Sequence, residues 1–166
     1  MKIISKHLLG LAIIAAFSPA LITTASAQLH LEIAKAPEQA PKIAIIPFSG
    51  DQRLYPVIEQ DLNRSGRFSS SSKNLPATAT LNHANGPAWK AAGVPYVVNG
   101  EVKTNADGSL AVHYQLYDVE KQQYLLNELL TVPASRVRSA AHMISDAIYQ
   151  AITGIKGDFS GRIAYV

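Results

Sequence analysis

The chain has 166 residues, no cysteine, and 15 lysines and arginines against 12 aspartates and glutamates. This length suits one ordinary domain with an extra segment, and an apolar content of 48% excludes a disordered polyelectrolyte. The lack of cysteine excludes disulfides, thiolate metal sites, a cysteine nucleophile and a lipid-anchored N-terminal cysteine.

Residues 1–27 have the layout of a secretory signal peptide. A short basic stretch over 1–7 precedes an apolar run over 8–17, and small residues end the segment at 25–27. The run is short and Pro19 follows it, so a retained membrane anchor is the less favoured alternative. The segment holds two lysines and no acidic residue, so its removal lowers the net charge from +3 to +1. The charge-based argument for a nucleic-acid partner then disappears, and export without cysteine favours a bacterial periplasm.

The next segment, 28–41, combines a strand-like start with a linker that contains two prolines. Apolar residues alternate with polar ones at Leu29, Leu31 and Ile33. These side chains need a sheet edge or a partner to cover them, which favours a recognition tail. A frayed terminus or an ordinary edge strand is the alternative interpretation.

Strand and helix signals alternate over 42–93. The β-branched run 42–48 predicts a strand that is buried on both faces. Apolar residues at helical spacing over 54–62 predict a helix that ends at Gly66. A polar loop is predicted over 73–86, followed by a short helix over 87–93 between a proline and a glycine.

The following block reads as an antiparallel sheet and a closing helix. Strands are predicted over 96–102, 110–117 and 124–132, with turn residues between them. In the middle strand, one face carries Leu110, Val112, Tyr114 and Leu116, and the other carries Ala111, His113, Gln115 and Tyr117. The last helix is predicted to have Ser135 as its N-cap and Gly154 as its stop.

This order of elements predicts an α/β or α+β fold over 42–158. We expect a small mixed sheet of about four to five strands, packed by two main helices and one short helix. Another strand is predicted to start at Gly157 and to run on to Val166. That strand either adds to this sheet or begins the connection of a longer protein.

Histidine and acidic residues give no enzyme signature. His30, His83, His113 and His142 are scattered, without the spacing of a helical zinc site, so no metal or other cofactor is expected. We expect His142 and Asp146, four residues apart, to form a surface pair.

The remaining motifs also favour a structural interpretation. Asp51, Glu59 and Asp61 are expected on a solvated helix surface. The Tyr-x-x-x-Lys spacing at 117–121 crosses a predicted hairpin and is interpreted as a chance match. Trp89 and the seven tyrosines are explained better by packing than by ligand stacking.

Six ordered strings resemble the N-terminal domain of the TolB family, the periplasmic component of the Tol–Pal system. Residues 43–48 (Ile-Ala-Ile-Ile-Pro-Phe) resemble its first strand, and 60–68 (Gln-Asp-Leu-Asn-Arg-Ser-Gly-Arg-Phe) resemble the end of its first helix. The other matching strings lie at 89–98, 114–118, 142–149 and 152–159. Residues 162–166 look like the strand that leads into the family's β-propeller, which the sequence does not contain. The stretch between Phe48 and Leu54 is shorter than the family pattern, which should alter one loop.

The resemblance implies a non-enzymatic adaptor between inner-membrane TolA and outer-membrane Pal, which supports envelope integrity and division. In the family the mature N-terminal segment engages the C-terminal domain of TolA, and the propeller carries most of the Pal surface. By position, the TolA-binding role falls on Gln28, Leu29, His30, Leu31, Glu32 and Ile33. No nucleic acid and no membrane insertion after signal cleavage are expected.

Two other functions stay open at this stage. The chain could be an independent interaction module, related to periplasmic activators of cell-wall synthases. An enzyme built from His113, His142 and scattered carboxylates is the third and least favoured possibility.

Overall fold

The computed structural model describes residues 40–161. The predicted signal peptide, most of the predicted tail and the end of the chain from 162 lie outside this range. Within the described range, no helix has both the length and the apolar character needed to cross a membrane.

The centre of the fold is a five-stranded mixed sheet. Its strands are β1 (Lys42–Ile45), β2 (Ser69–Ser71), β3 (Tyr96–Thr104), β4 (Ser109–Asp118) and β5 (Gln123–Pro133). They lie in the order β2-β1-β3-β4-β5, with β1 parallel to both β2 and β3. The β3–β4 and β4–β5 pairs are antiparallel, so the predicted mixed sheet is confirmed.

Three α-helices pack on this sheet, as predicted. They are α1 (Tyr55–Arg64), the short α2 (Gly86–Ala91) and the long α3 (Val137–Thr153). Gly154 ends α3 with φ at +72°, a conformation in which a side chain would be strained. The predicted N-cap at Ser135 is wrong, because a 3₁₀ turn over Ala134–Arg136 precedes α3 and no side chain caps it.

The main core lies between one face of the sheet and the helices α1 and α3. Alternate strand residues point into it, and the predicted face of β4 is confirmed by the burial of all four of its apolar residues. Ile58 and Leu62 from α1 and Ile144 and Ile148 from α3 complete this layer. We call this side of the sheet the helix face.

The opposite side, called here the α2 face, has a smaller apolar cluster. Trp89 of α2 packs there with Ala44 and Val97, which alternate along β1 and β3 with residues of the main core. This cluster covers β1 and β3, and it leaves Leu129 on β5 69% exposed.

Three features differ from the sequence-based expectation: the end of β1, the presence of β2 and the absence of a strand over 157–161. β1 ends at Ile45 because Pro47 has no N–H to donate, although single bonds to β3 continue at Ile46 and Ser49. β2 was not predicted, since three consecutive serines carry no strand signal. Residues 157–161 form no strand, so the predicted strand start at Gly157 is wrong over that range.

Candidate functional site

The six predicted TolA-binding residues lie outside the described range, so the structure does not test them. The structure does describe the junction where the linker enters the domain. The carbonyl oxygen of Pro41 accepts a hydrogen bond of 3.1 Å from the Ser69 N–H of β2. The linker therefore joins the sheet at the start of β1, beside the short edge strand β2.

The outer edge of β2 is closed by a side chain. Asn63 of α1 accepts from the Ser70 N–H at 2.8 Å and donates to the Ser70 carbonyl oxygen at 3.0 Å. Its amide thus occupies the backbone groups that an added strand would use at this position.

The described histidines do not come together. His83 lies exposed in a loop, and His113 on the α2 face contacts Asn127 Oδ1 at 2.7 Å. His142 lies on α3, which covers the opposite face of the sheet. A common site built from His113 and His142 is therefore not formed. Over 40–161 no group of three or more histidines and carboxylates has a geometry suited to a metal ion.

His142 pairs with Asp61 rather than with Asp146, so the predicted surface pair is wrong. His142 Nδ1 lies 2.7 Å from Asp61 Oδ2, and Asp61 is only 4% exposed. Asp61 was expected on a solvated surface, and this too is corrected. Its spacing of three from Ile58 could have indicated the buried side of α1, since i and i+3 share a helix face.

Ser145 completes this buried cluster but does not form a catalytic triad. Its hydroxyl lies 2.9 Å from Asp61 Oδ2 and 3.0 Å from the Ala141 carbonyl oxygen. Serine and histidine therefore both bond to the carboxylate, whereas nucleophilic catalysis needs the serine bonded to the histidine. The cluster holds α1 against α3.

Asp146 has a different partner, the chain that follows α3. Its carboxylate accepts from the Phe159 N–H at 2.7 Å and from both the N–H and the hydroxyl of Ser160. The ring of Phe159 meets Tyr149 edge-to-face, with centroids 5.7 Å apart. The segment that leaves the domain is thus fixed on α3 by three hydrogen bonds and an aromatic contact.

A polar network lies on the α2 face of β4 and β5. Gln115 is fully buried; its side chain accepts from the Asn82 N–H at 2.8 Å and donates to Asn82 Oδ1 at 2.8 Å. The Gln115 side-chain N–H also donates to Asn127 Oδ1 at 3.0 Å, and His113 Nε2 contacts the same oxygen. These bonds attach the loop before α2 to the sheet.

Tyr114 is the described group with the clearest change in acidity. Its hydroxyl donates to Glu128 Oε2 at 2.5 Å. Burial, and then the Glu128 carboxylate, raise the pKa of Tyr114 well above its ordinary value. Tyr114 therefore stays a neutral hydrogen-bond donor at neutral pH.

A family model and two curated relatives identify the same family. The model of the "TolB amino-terminal domain" family matches residues 29–125. The Tol-Pal system protein TolB of Acinetobacter baylyi is 69% identical over 161 residues, which is 97% of this chain and 38% of that protein. TolB of Alcanivorax borkumensis is 35% identical, over 90% of this chain and 37% of that protein.

A solved structure gives the same result. The crystal structure of TolB from Acinetobacter baumannii matches with a TM-score of 0.72 and 72% identity, over 81% of this chain and 33% of that chain. The sequence thus spans a little over a third of the length of the curated relatives it matches. The chain belongs to the TolB family of the Tol–Pal system and corresponds to its amino-terminal domain.

Proposed function

We propose that this chain is the N-terminal part of a non-enzymatic periplasmic adaptor of the Tol–Pal envelope complex. The adaptor links inner-membrane TolA to outer-membrane Pal, for outer-membrane integrity and for invagination during division. The observation that carries the proposal is the extent of the family match, which begins at residue 29. It therefore includes five of the six proposed TolA-binding residues.

The chemistry of the tail fits recognition by strand addition. In an extended strand Leu29, Leu31 and Ile33 would share one side, because strand side chains alternate with a period of two. Added to a partner's sheet edge, the backbone supplies hydrogen bonds and these three side chains fill pockets. We expect weak binding, because a free tail loses conformational freedom when it is ordered.

The described domain supplies fixed connections at both of its ends. The linker enters at the Pro41–Ser69 hydrogen bond, and the chain leaves along α3 at the Asp146 contacts. Pal binding is expected mainly from the β-propeller that follows this domain in the family. In this proposal the domain holds the tail at one end and the connection to the propeller at the other.

The tail assignment is tested with two variants, each substituted on one side of the predicted strand. Each variant is titrated by calorimetry with the TolA C-terminal domain. The variant L29S/L31S/I33S removes one side of the strand, and H30S/E32S removes polar side chains from the other. The first should raise the Kd by at least about 100-fold, since each apolar side chain contributes about 1.5–3 kcal/mol when buried. The second should change the Kd by no more than about threefold.

Deletion of 28–33 should abolish binding and leave the melting temperature nearly unchanged. Undiminished TolA binding by the deleted chain would refute the tail assignment. Equal losses in the two substitution variants would refute strand addition with one buried side.

A further inference from the structure

A cleft of about 340 Å³ opens on the α2 face, between the β2–β1 edge of the sheet and α2. This volume lies at the lower end of the range of small-molecule sites, about 300–1,000 Å³. The cleft exists because the strand residues beneath it are small. Ser70 directs its hydroxyl to the Glu59 carbonyl oxygen on α1, so Ser69 and Ser71 lie on the cleft side.

The interior of the cleft is apolar. Trp89 borders it but is fully buried, and Leu75, Pro76 and Val94 contribute the accessible apolar surface. An aryl or alkyl group of a ligand would replace water against these three side chains. The Trp89 indole N–H has no acceptor among the described residues, which leaves a buried donor unsatisfied.

Among residues 40–161, the charged residues that line the cleft are both cations. They are Lys42 and Lys73, and no carboxylate of this range lines the cleft. Over 40–161 neither lysine lies within ion-pair distance of an acidic residue, unlike Lys90, Lys103 and Lys121. The backbone of Lys73 is held in place by Ser71, whose hydroxyl accepts from the Lys73 N–H at 3.1 Å. Two lysines without an acidic neighbour in this range, beside an apolar interior, favour a ligand with a negative head and an apolar body.

We propose that this cleft binds a small amphiphilic carboxylate. The apolar body lies against Leu75, Pro76 and Val94, next to the buried Trp89, and the carboxylate faces Lys42 and Lys73. Such a group is presented both by free alkyl or aryl acids and by the C-terminal residue of a polypeptide. This proposal does not depend on the role of the tail.

Trp89 is the only tryptophan of the chain and borders the cleft, so its fluorescence is sensitive to changes there. The purified protein is titrated with phenylacetate and hexanoate, and in parallel with phenylacetamide and hexanamide. The carboxylates should produce a saturable change in Trp89 emission and bind at least about fivefold more tightly than the neutral amides. A lack of saturable change with both acids and with the peptide below would overturn the proposal. So would a result in which every acid, the peptide included, binds no more tightly than its own amide.

A charge-matched pair of variants locates the head group. K42Q/K73Q should weaken carboxylate binding by about threefold to tenfold and leave amide binding unchanged. K103Q/K156Q removes the same charge from residues that do not line the cleft, and it should bind the acids like the parent. Equal affinities in the two double variants would place the carboxylate elsewhere and overturn the proposal. All four substitutions are at exposed lysines, so both variants should fold.

A pair of peptides distinguishes a free acid from a polypeptide C-terminus as the natural source of the carboxylate. N-acetyl-Leu-Phe with a free C-terminus is compared with the same peptide carrying a C-terminal amide. Tight binding of the free peptide, with weak binding of the small acids, supports the proposal with a polypeptide C-terminus as the ligand. The reverse order supports it with a free acid as the ligand.

Discussion

One face of the sheet packs against α1 and α3, and the other packs against α2 and the loop before it. On the helix face the strands, α1 and α3 meet through aliphatic side chains such as Ile45, Ile58 and Ile144, all fully buried. On the α2 face, Trp89 is the large side chain that packs over β1 and β3. Gln115 of β4 is bonded there to Asn82, in the loop before α2.

The helix face therefore contributes most to stability, whereas the α2 face has room for a ligand. Continuous aliphatic packing on the helix face leaves little room for a ligand and contributes most of the burial energy. The thinner layer on the α2 face leaves the 340 Å³ cleft and the exposed Leu129. We therefore expect substitutions on the helix face to change the free energy of unfolding most, and substitutions on the α2 face to change it less.

The largest effect is expected from Ile144→Ala. Ile144 is fully buried between α3 and the sheet, and truncation there leaves a cavity. The free energy of unfolding should fall by about 2–5 kcal/mol. Urea denaturation measures this, with Met143→Ala on the exposed side of α3 as the control, expected within about 0.5 kcal/mol. Similar losses for the two variants would contradict the assigned core.

Asp61→Asn tests the polar cluster inside the helix face. The variant keeps the shape of the side chain but removes the charge that His142 and Ser145 bond to. We expect a loss of about 1–3 kcal/mol in the free energy of unfolding, because bonds to a charged group are replaced by weaker ones. Glu120→Gln, at an exposed ion pair with Lys90, is the control and should change stability by less than about 1 kcal/mol. An unchanged stability in Asp61→Asn would mean that the cluster does not hold the helices.

Gln115→Leu tests the α2 face. It removes the side-chain bonds to Asn82 and leaves an apolar group of similar size. The expected loss is about 1 kcal/mol, because exposed Asn82 can bond to water instead. Hydrogen exchange of the Asn82 amide should accelerate, while exchange in α3 stays unchanged. A loss as large as that of Ile144→Ala would remove the contrast between the two faces.

Tyr114→Phe is expected to have its effect at alkaline pH. The pKa of Tyr114 is raised by burial and by Glu128, so the folded protein holds this proton more tightly than the unfolded chain does. Its contribution to stability is therefore complete below about pH 10, the ordinary tyrosine pKa, and is lost as the pH rises above it. The variant should show a shallower decline of stability above pH 10 in denaturation series. An identical decline would contradict the raised pKa.

Much of the fold was predictable because its signals are local. Prolines and glycines mark the short helix α2 and the end of α3, and alternating apolar residues mark β4. β2 was missed because its serines have no apolar pattern, and its pairing depends on neighbours distant in the chain, β1 and Asn63.

The clusters of the candidate site were harder to predict, because they join distant residues. Asp61 and His142 are 81 positions apart, and only the packing of α1 on α3 brings them together. The cleft depends likewise on α2 reaching the β2–β1 edge. The tail assignment, from Gln28 to Ile33, rests on the family resemblance and stays a prediction.

The most direct test of the central claim is a backbone NMR titration of residues 28–166 with the TolA C-terminal domain. We predict shifts confined to the tail residues 28–33, with the signals of the sheet and of α3 unmoved. Shifts spread over the β-sheet, with the tail unchanged, would contradict the account and place TolA recognition on the domain itself.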